Sequence, residues 1–307
     1  MFAAVLAWPA AAPAQQAGGA RYGVGMRTFK FVDKSRRTDP NLSYKGARSR
    51  TLRTLVLYPT AGDPGGPAVK NARPLRRRAG QRFPLVVFAH GFGASGPTYR
   101  PVIEPYVRAG YVVAAPTFPL SSQGAPGGPP VLTDYVNQPG DVSYVITRML
   151  RLSRGKGFLT RTVNRHEIGA MGHSLGAVTT LGLVANSCCR DPRVDAASAW
   201  SGLEVPFPKG RFFSRKAPPL LFVHGDSDQT VMLSGGRKAY EDAPAPKALL
   251  TMIGGGHVFF FAPWADPFTR TVTDFLDGYL KHSAAARQRI ATDGNLAGVA
   301  SVTEQLR

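Results

Sequence analysis

Ser174 stands in Gly172-His173-Ser174-Leu175-Gly176, a Gly-x-Ser-x-Gly string, and could attack an ester carbonyl. Its hydroxyl is inert until a base takes the proton, and the oxyanion formed by attack needs hydrogen-bond donors. The string alone says little: in 307 residues with 34 glycines, chance supplies about 0.2 copies per chain. Of the six histidines, His257 and His282 follow Ser174 by enough sequence to come after another strand. His257, in the turn Gly254-Gly255-Gly256-His257, is the expected base; His282 sits near the end of an amphipathic helix, where a solvated cap is the ordinary role. The imidazole needs a carboxylate to orient it, and between Ser174 and His257 the apolar run 220–224 ends in His224-Gly225-Asp226-Ser227-Asp228, which offers two. Asp228 is preferred, because the carboxylate must clear the strand end to reach the imidazole; Asp226 is expected to tie down the loop by hydrogen bonds to the backbone. The expected oxyanion donors are the backbone N–H groups of Leu175 and of Phe92. Phe92 lies in His90-Gly91-Phe92-Gly93, whose glycines let the chain turn its N–H groups inward, with His90 supporting the loop.

These residues need a scaffold that gathers strand ends. From residue 84 onward, short apolar β-branched runs alternate with helical patterns, the signature of βαβ units and a mainly parallel sheet. Strands are predicted over 84–89, 111–115, 167–171, 196–200, 220–224 and 248–253; most are continuously apolar, as suits strands covered on both faces. Helices are predicted over 101–109, 139–152, 175–185, 233–240 and 267–281. Pro139 and Asp141 suit a helix start, because proline lacks the N–H and the carboxylate meets the positive dipole end. Ser174 thus falls between a strand and a helix, on a turn where a side chain at Gly172 or Gly176 would crowd its neighbours. Residues 26–32 and 51–58 alternate, which suggests an antiparallel edge hairpin or meander. The Gly/Pro-rich stretch 117–138 is too long for a plain connection and is expected to lie over the site. Residues 62–80 read as a surface loop. The fold class is α/β with one domain over 21–283, no large cap, and a tail or short helix over 284–307.

The net charge of +19 is uneven: residues 21–82 carry 16 Lys/Arg against three Asp/Glu. Such a surface could associate electrostatically with anionic surfaces, but no recognition motif accompanies Arg76-Arg77-Arg78, so specific nucleic-acid binding is not expected and a solvated loop face is the plainer role. Residues 1–20 hold an apolar run followed by small residues around Ala14, as an export signal does, although no basic residue precedes Arg21. A disordered Ala/Pro tail is the alternative. The expected location is secreted, periplasmic or in the cell envelope. The cysteines, Cys188 and Cys189, are adjacent, so a bond between them would need strained geometry, and one or both are expected to be buried thiols. No Cys or His cluster has metal-ligand spacing, so neither metal nor cofactor is expected.

The sequence resembles the α/β-hydrolase branch that holds dienelactone-hydrolase-like enzymes, bacterial relatives of platelet-activating-factor acetylhydrolase, chlorophyllases and cutinase-like polyester hydrolases. The resemblance runs from Val56-Leu57-Tyr58-Pro59 through His90-Gly91-Phe92, Gln138-Pro139-Gly140-Asp141-Val142 and the Ser174 string to His224-Gly225-Asp226-Ser227-Asp228 and Gly256-His257. It implies a catalytic triad of Ser174, Asp228 and His257, with Phe92 and Leu175 at the oxyanion positions. Polyester hydrolases of this branch typically carry Met after the nucleophile; here Leu175 fits general esterases equally.

The expected reaction is hydrolysis of short-to-medium acyl, lipid or polyester-type esters by a monomer. Gly91, Tyr99, Phe118, His173, Trp200 and Val231 flank strand ends, where ligands bind in open α/β sheets, and are the expected substrate contacts. The rival readings are an acyltransferase using the same triad with water excluded, a binding protein without catalysis, and a basic polyanion-binding module.

Overall fold

A computed structural model describes residues 21–306. The export signal expected over residues 1–20 lies outside the described residues. In chain order the strands are β1 (Gly23–Asp33), β2 (Arg50–Thr60), β3 (Val69–Lys70), β4 (Phe83–Ala89), β5 (Val112–Thr117), β6 (Val163–His173), β7 (Ala196–Trp200), β8 (Leu220–Gly225), β9 (Lys247–Met252) and β10 (Ala300–Gln305). The helices are α1 (Arg100–Arg108), α2 (Gln138–Leu152), α3 (Leu175–Ala185), α4 (Leu233–Asp242), α5 (Ala265–Leu280) and α6 (Ala284–Gly294). All described strands form one sheet in the order β10-β9-β8-β7-β6-β4-β5-β2-β1-β3. The inner run from β5 to β9 is parallel, while β10 pairs antiparallel with β9, β2 with β5 and β1 with β2.

The reason for continuous apolar runs is visible in β4. Leu85, Val87 and Ala89 join the core that α2 and α3 cover, whereas Val86 and Phe88 join the core under α1 and α5, so alternate side chains are buried on opposite faces. The chain leaves β4 through α1 to reach β5 on one side. It then crosses back through α2 to β6 on the other side and continues outward through β7, β8 and β9. Strand order therefore reverses between β4 and β6, and the loops leaving those two strands part at the carboxyl edge of the sheet, where open α/β sheets form a crevice.

Three expectations change. The stretch from residue 284 is α6, capped by Ser283 Oγ accepting from Ala286 N–H at 3.2 Å, followed by β10 on the edge of the sheet. β10 escapes a hydrophobic-pattern reading because its outer residues are exposed and polar. The stretch 62–80 contributes β3, a two-residue parallel pairing on β1. Cys188 and Cys189 are joined in a disulfide, Cys188 exposed and Cys189 half-buried, rather than standing as buried thiols. They follow α3 in a turn closed by Cys188 N–H on Asn186 Oδ1, which carries them out of the core.

Candidate active site

The β6–α3 junction is built so that only glycine fits on both sides of Ser174. A Cβ on Gly172 would lie 2.1 Å from Gly176 O, and one on Gly176 would lie 2.0 Å from Ala89 O. Ser174 itself has φ 56° and ψ −121°, a conformation a non-glycine residue adopts only when its surroundings enforce it. Its N–H donates to Trp200 O at the end of β7 at 2.8 Å, and its half-buried side chain projects at the amino end of α3.

His257 follows β9 and reaches across two strands. Its Nε2 lies 2.9 Å from Ser174 Oγ, and its Nδ1 lies 2.7 Å from Asp228 Oδ2. A carboxylate only accepts, so Nδ1 carries the proton and Nε2 is the accepting nitrogen. Asp228, in the loop after β8, also accepts the N–H groups of Thr230 (2.8 Å) and Val231 (2.9 Å) on Oδ1. Burial opposes its charge, but the hydrogen bonds from His257, Val231 and Thr230 prevail and hold its carboxyl below the ordinary value. Asp226 is exposed and accepts from Gly254 N–H at 2.7 Å, tying the β8 loop to the turn that carries His257. The turns also interlock sterically: a Cβ on Gly225 would meet Gly255 O at 2.2 Å.

The His90–Gly93 loop sits beside Ser174, since a Cβ on Gly91 would lie 3.3 Å from Ser174 Cβ. His90 is fully buried, with Nδ1 2.8 Å from Gly91 O and Nε2 accepting from Phe118 N–H at 3.0 Å. Burial depresses its ring to about 4, so it stays neutral with the proton on Nδ1. Gly93 N–H donates to Ser121 O at 2.8 Å, which sets the long 117–138 stretch alongside this loop. That stretch ends in a 3-10 turn, Leu132–Asn137. The backbone N–H groups of Phe92 and Leu175 donate to no acceptor among the described residues.

The expected substrate contacts divide. Gly91 flanks Ser174 through its backbone, and Val231 is half-buried in the Asp228 loop. Tyr99, Phe118, His173 and Trp200 lie inside the protein, none more than 4% exposed. Strand ends carry a supporting layer beneath the crevice as well as its walls, and these four belong to that layer. Trp200 packs on Phe88, Phe260 and Phe268. His173 is a polar strut: Tyr99 Oη lies 2.7 Å from its Nδ1, and its Nε2 donates to His257 O at 2.8 Å, where Ser201 Oγ donates as well. Burial and the neighbouring His257 hold the ring of His173 neutral, with its ionisation depressed to about 3.

The sequence reading missed a buried cluster at this end. Arg50 is fully buried and forks onto two carboxylates, Asp141 (2.7 and 2.6 Å) and Asp134 (3.0 and 2.9 Å). Asp141 therefore does more than face a helix dipole; it anchors the start of β2 to α2. Gln138, beside it, donates to Ser121 Oγ at 2.7 Å and accepts from Thr179 Oγ1, joining the long loop to α3. Their grouping in the Gln138–Val142 motif was the available signal; Arg50 and Asp134 had none.

No protein-family model matches this chain, and no curated protein matches it. A serine hydroxyl against an accepting imidazole nitrogen, with that imidazole held by a carboxylate and two unused N–H groups on flanking loops, can carry out nucleophilic acyl transfer.

Proposed function

We propose that this protein is a serine hydrolase of the α/β-hydrolase fold that cleaves carboxylic esters through an acyl-enzyme on Ser174. The observation that carries the reading is a single imidazole, His257, 2.9 Å from Ser174 Oγ and 2.7 Å from Asp228. The order of serine, acid and histidine after β6, β8 and β9 supports it, as does the positive φ of Ser174.

In this mechanism His257 Nε2 takes the hydroxyl proton as Ser174 Oγ attacks the ester carbonyl carbon. Asp228 stabilises the imidazolium that results. The oxyanion receives the N–H groups of Phe92 and Leu175. As the tetrahedral adduct collapses, the bond to the alkoxy oxygen breaks, and His257 gives that oxygen its proton. Water, deprotonated by the same Nε2, then attacks the acyl carbon; collapse releases the carboxylic acid and returns the proton to Ser174 Oγ.

The class of ester is suggested by what is exposed at the carboxyl edge. Phe92, Leu132, Val136 and Met232, between 37% and 70% exposed, all lie on loops that leave β4, β5 and β8 there. Loops rimmed with exposed apolar side chains favour bulky or poorly soluble esters, lipid or polyester, over small charged ones. The small-residue run near Ala14 and the bonded cysteine pair support an extracytoplasmic location.

The test is turnover of p-nitrophenyl butyrate by the purified protein, followed by acyl-chain series and polyester films. Ser174→Ala is expected to lower kcat by about 10⁴-fold or more, and a fluorophosphonate is expected to label Ser174 alone. Undiminished turnover by the alanine variant would overturn the proposal.

A further inference from the structure

We propose that the end of the sheet remote from Ser174 is a docking face for a linear polymer of phosphate groups, recognised by its charge. The sequence contains two long acid-free stretches, from Asp63 to Glu104 and from Asp141 to Glu167. Within them, residues 71–84 hold five arginines, and residues 148–166 hold five arginines and one lysine. The fold brings these segments together. Arg77 N–H donates to Arg161 O at 2.6 Å and Phe83 N–H to Thr162 O at 2.9 Å, where the segments enter the neighbouring strands β4 and β6.

Elsewhere in the molecule arginines such as Arg36, Arg50 and Arg193 are neutralised by aspartates. None of the eleven cations in these two segments is in an ion pair among the described residues. Aromatic rings hold several guanidinium groups in this region: Arg77 lies over Tyr22 and Phe83, and Arg27 over Phe158. The Nε atoms of Arg82 and Arg148 are buried with no hydrogen-bond partner. A cavity of about 260 Å³ opens between Arg21, Arg77, Arg82 and Lys281, with Glu167 the acidic residue in its wall. Lys281 is partly neutralised by Asp277 at 2.7 Å.

Guanidinium presents a planar fork that matches phosphate oxygens bidentately. Phosphate polymers, being densely charged, also release the most counterions when bound. The exposed large hydrophobic residues all lie outside both segments, so the face has nothing to insert into a bilayer. Tyr22 and Phe158 are half-buried under guanidinium groups, not presented for stacking on bases. β6 spans about 35 Å between this face and Ser174, so docking leaves the carboxyl edge open. The inference does not depend on the reaction proposed for that edge.

The experiment measures binding of the purified protein to long-chain inorganic polyphosphate by fluorescence anisotropy over a range of NaCl concentrations. The test variant carries Arg76→Ser, Arg78→Ser, Arg154→Ser and Lys156→Ser, all at exposed positions. A control variant loses the same charge through Arg37→Ser, Lys45→Ser, Arg48→Ser and Lys216→Ser, also exposed. The test variant is expected to bind at least ~10-fold more weakly at low salt, and its slope of log K against log salt to flatten by about 3, at roughly 0.7–0.9 per lost contact. The control is expected to stay within about threefold of the parent, and both to melt with the parent in high salt. Equal weakening in the control would reduce the effect to net charge and overturn the proposal. So would tighter binding of phosphatidylglycerol vesicles or duplex DNA than of polyphosphate, or no binding at all.

Discussion

Arginine is treated in opposite ways at the two ends of the sheet. At the carboxyl edge Arg50 is out of water and forked onto Asp134 and Asp141, and His90, His173 and His257 each have both ring nitrogens engaged. At the amino edge the arginines of residues 71–84 and 148–166 have no carboxylate partners among the described residues. The functions proposed for the two ends account for the contrast by the tolerance of each. Acyl transfer needs oxygen and nitrogen atoms held within tenths of an ångström, which requires every supporting polar group to be satisfied. A flexible polyanion adjusts to its partner, so its binding face needs charge density and little rigidity.

If the carboxyl edge is a positioned constellation, its weakest permissible change should still be severe. Asp228→Asn keeps the side-chain shape and an oxygen for the Thr230 and Val231 N–H groups, but it cannot stabilise an imidazolium and favours the wrong tautomer of His257. The expected result is a loss of about 10⁴ in kcat with little change in KM, measured on p-nitrophenyl butyrate. A variant within tenfold of the parent would remove the carboxylate from the mechanism.

Arg50→Met comes next, and its effect is on stability. It leaves Asp134 and Asp141 buried with the Arg50 charge gone; Asp141 retains Arg36 at 2.8 Å. Removing one partner of a buried pair costs about 3–5 kcal/mol, read as a lower urea midpoint. No arginine of the opposite end should approach that cost.

How much of this was legible in advance follows the range of the interaction. The meeting of Ser174, His257 and Asp228 was readable because each falls at a strand end whose apolar run precedes it, and the elements beside them lie within a residue of expectation for α3, β8 and β9. The supporting layer was misread: the same strand-end position fits a pocket wall or a strut, and only burial separates Tyr99, Phe118, His173 and Trp200 from the exposed Phe92 and Met232. Arg50 was hidden because its two aspartates lie 84 and 91 residues away, beyond any local pattern. The basic surface was assigned to the amino-terminal third by composition, whereas the fold couples part of it to the turn before β6.

The neutral histidines make the comparison sensitive to pH. His90 and His173 are held neutral by burial, with ionisation depressed to about 4 and about 3, while the unfolded chain protonates both at the ordinary value of 6.5. Below that value the unfolded state binds protons that the native state does not, so their stabilisation is present above 6.5 and is lost as pH falls toward 4. Each contributes a loss on the order of 3 kcal/mol by pH 4. Urea midpoints should therefore drop steeply between pH 6.5 and 4. His173→Phe should remove its share of that drop, while costing about 1–3 kcal/mol at pH 7 because the hydrogen bonds of His173 to Tyr99 Oη and His257 O are lost. An unchanged pH slope in that variant would mean the ring does not stay neutral.

The smallest effect belongs to the amino edge and has the opposite sign. Unpaired like charges repel, and at low ionic strength the repulsion reaches across the face: the screening length is about 30 Å at 0.01 M salt and about 8 Å at 0.15 M. Raising NaCl over that interval should stabilise the parent slightly. The Arg76, Arg78, Arg154 and Lys156 serine variant should be as stable as the parent in high salt, within about 0.5 kcal/mol, and more stable than it in low salt. Removing cations that hold a fold together would lower stability under both conditions; removing cations reserved for a partner raises it when the partner and the salt are both withdrawn. A low-salt melting temperature below that of the parent would therefore erase the distinction between the two ends.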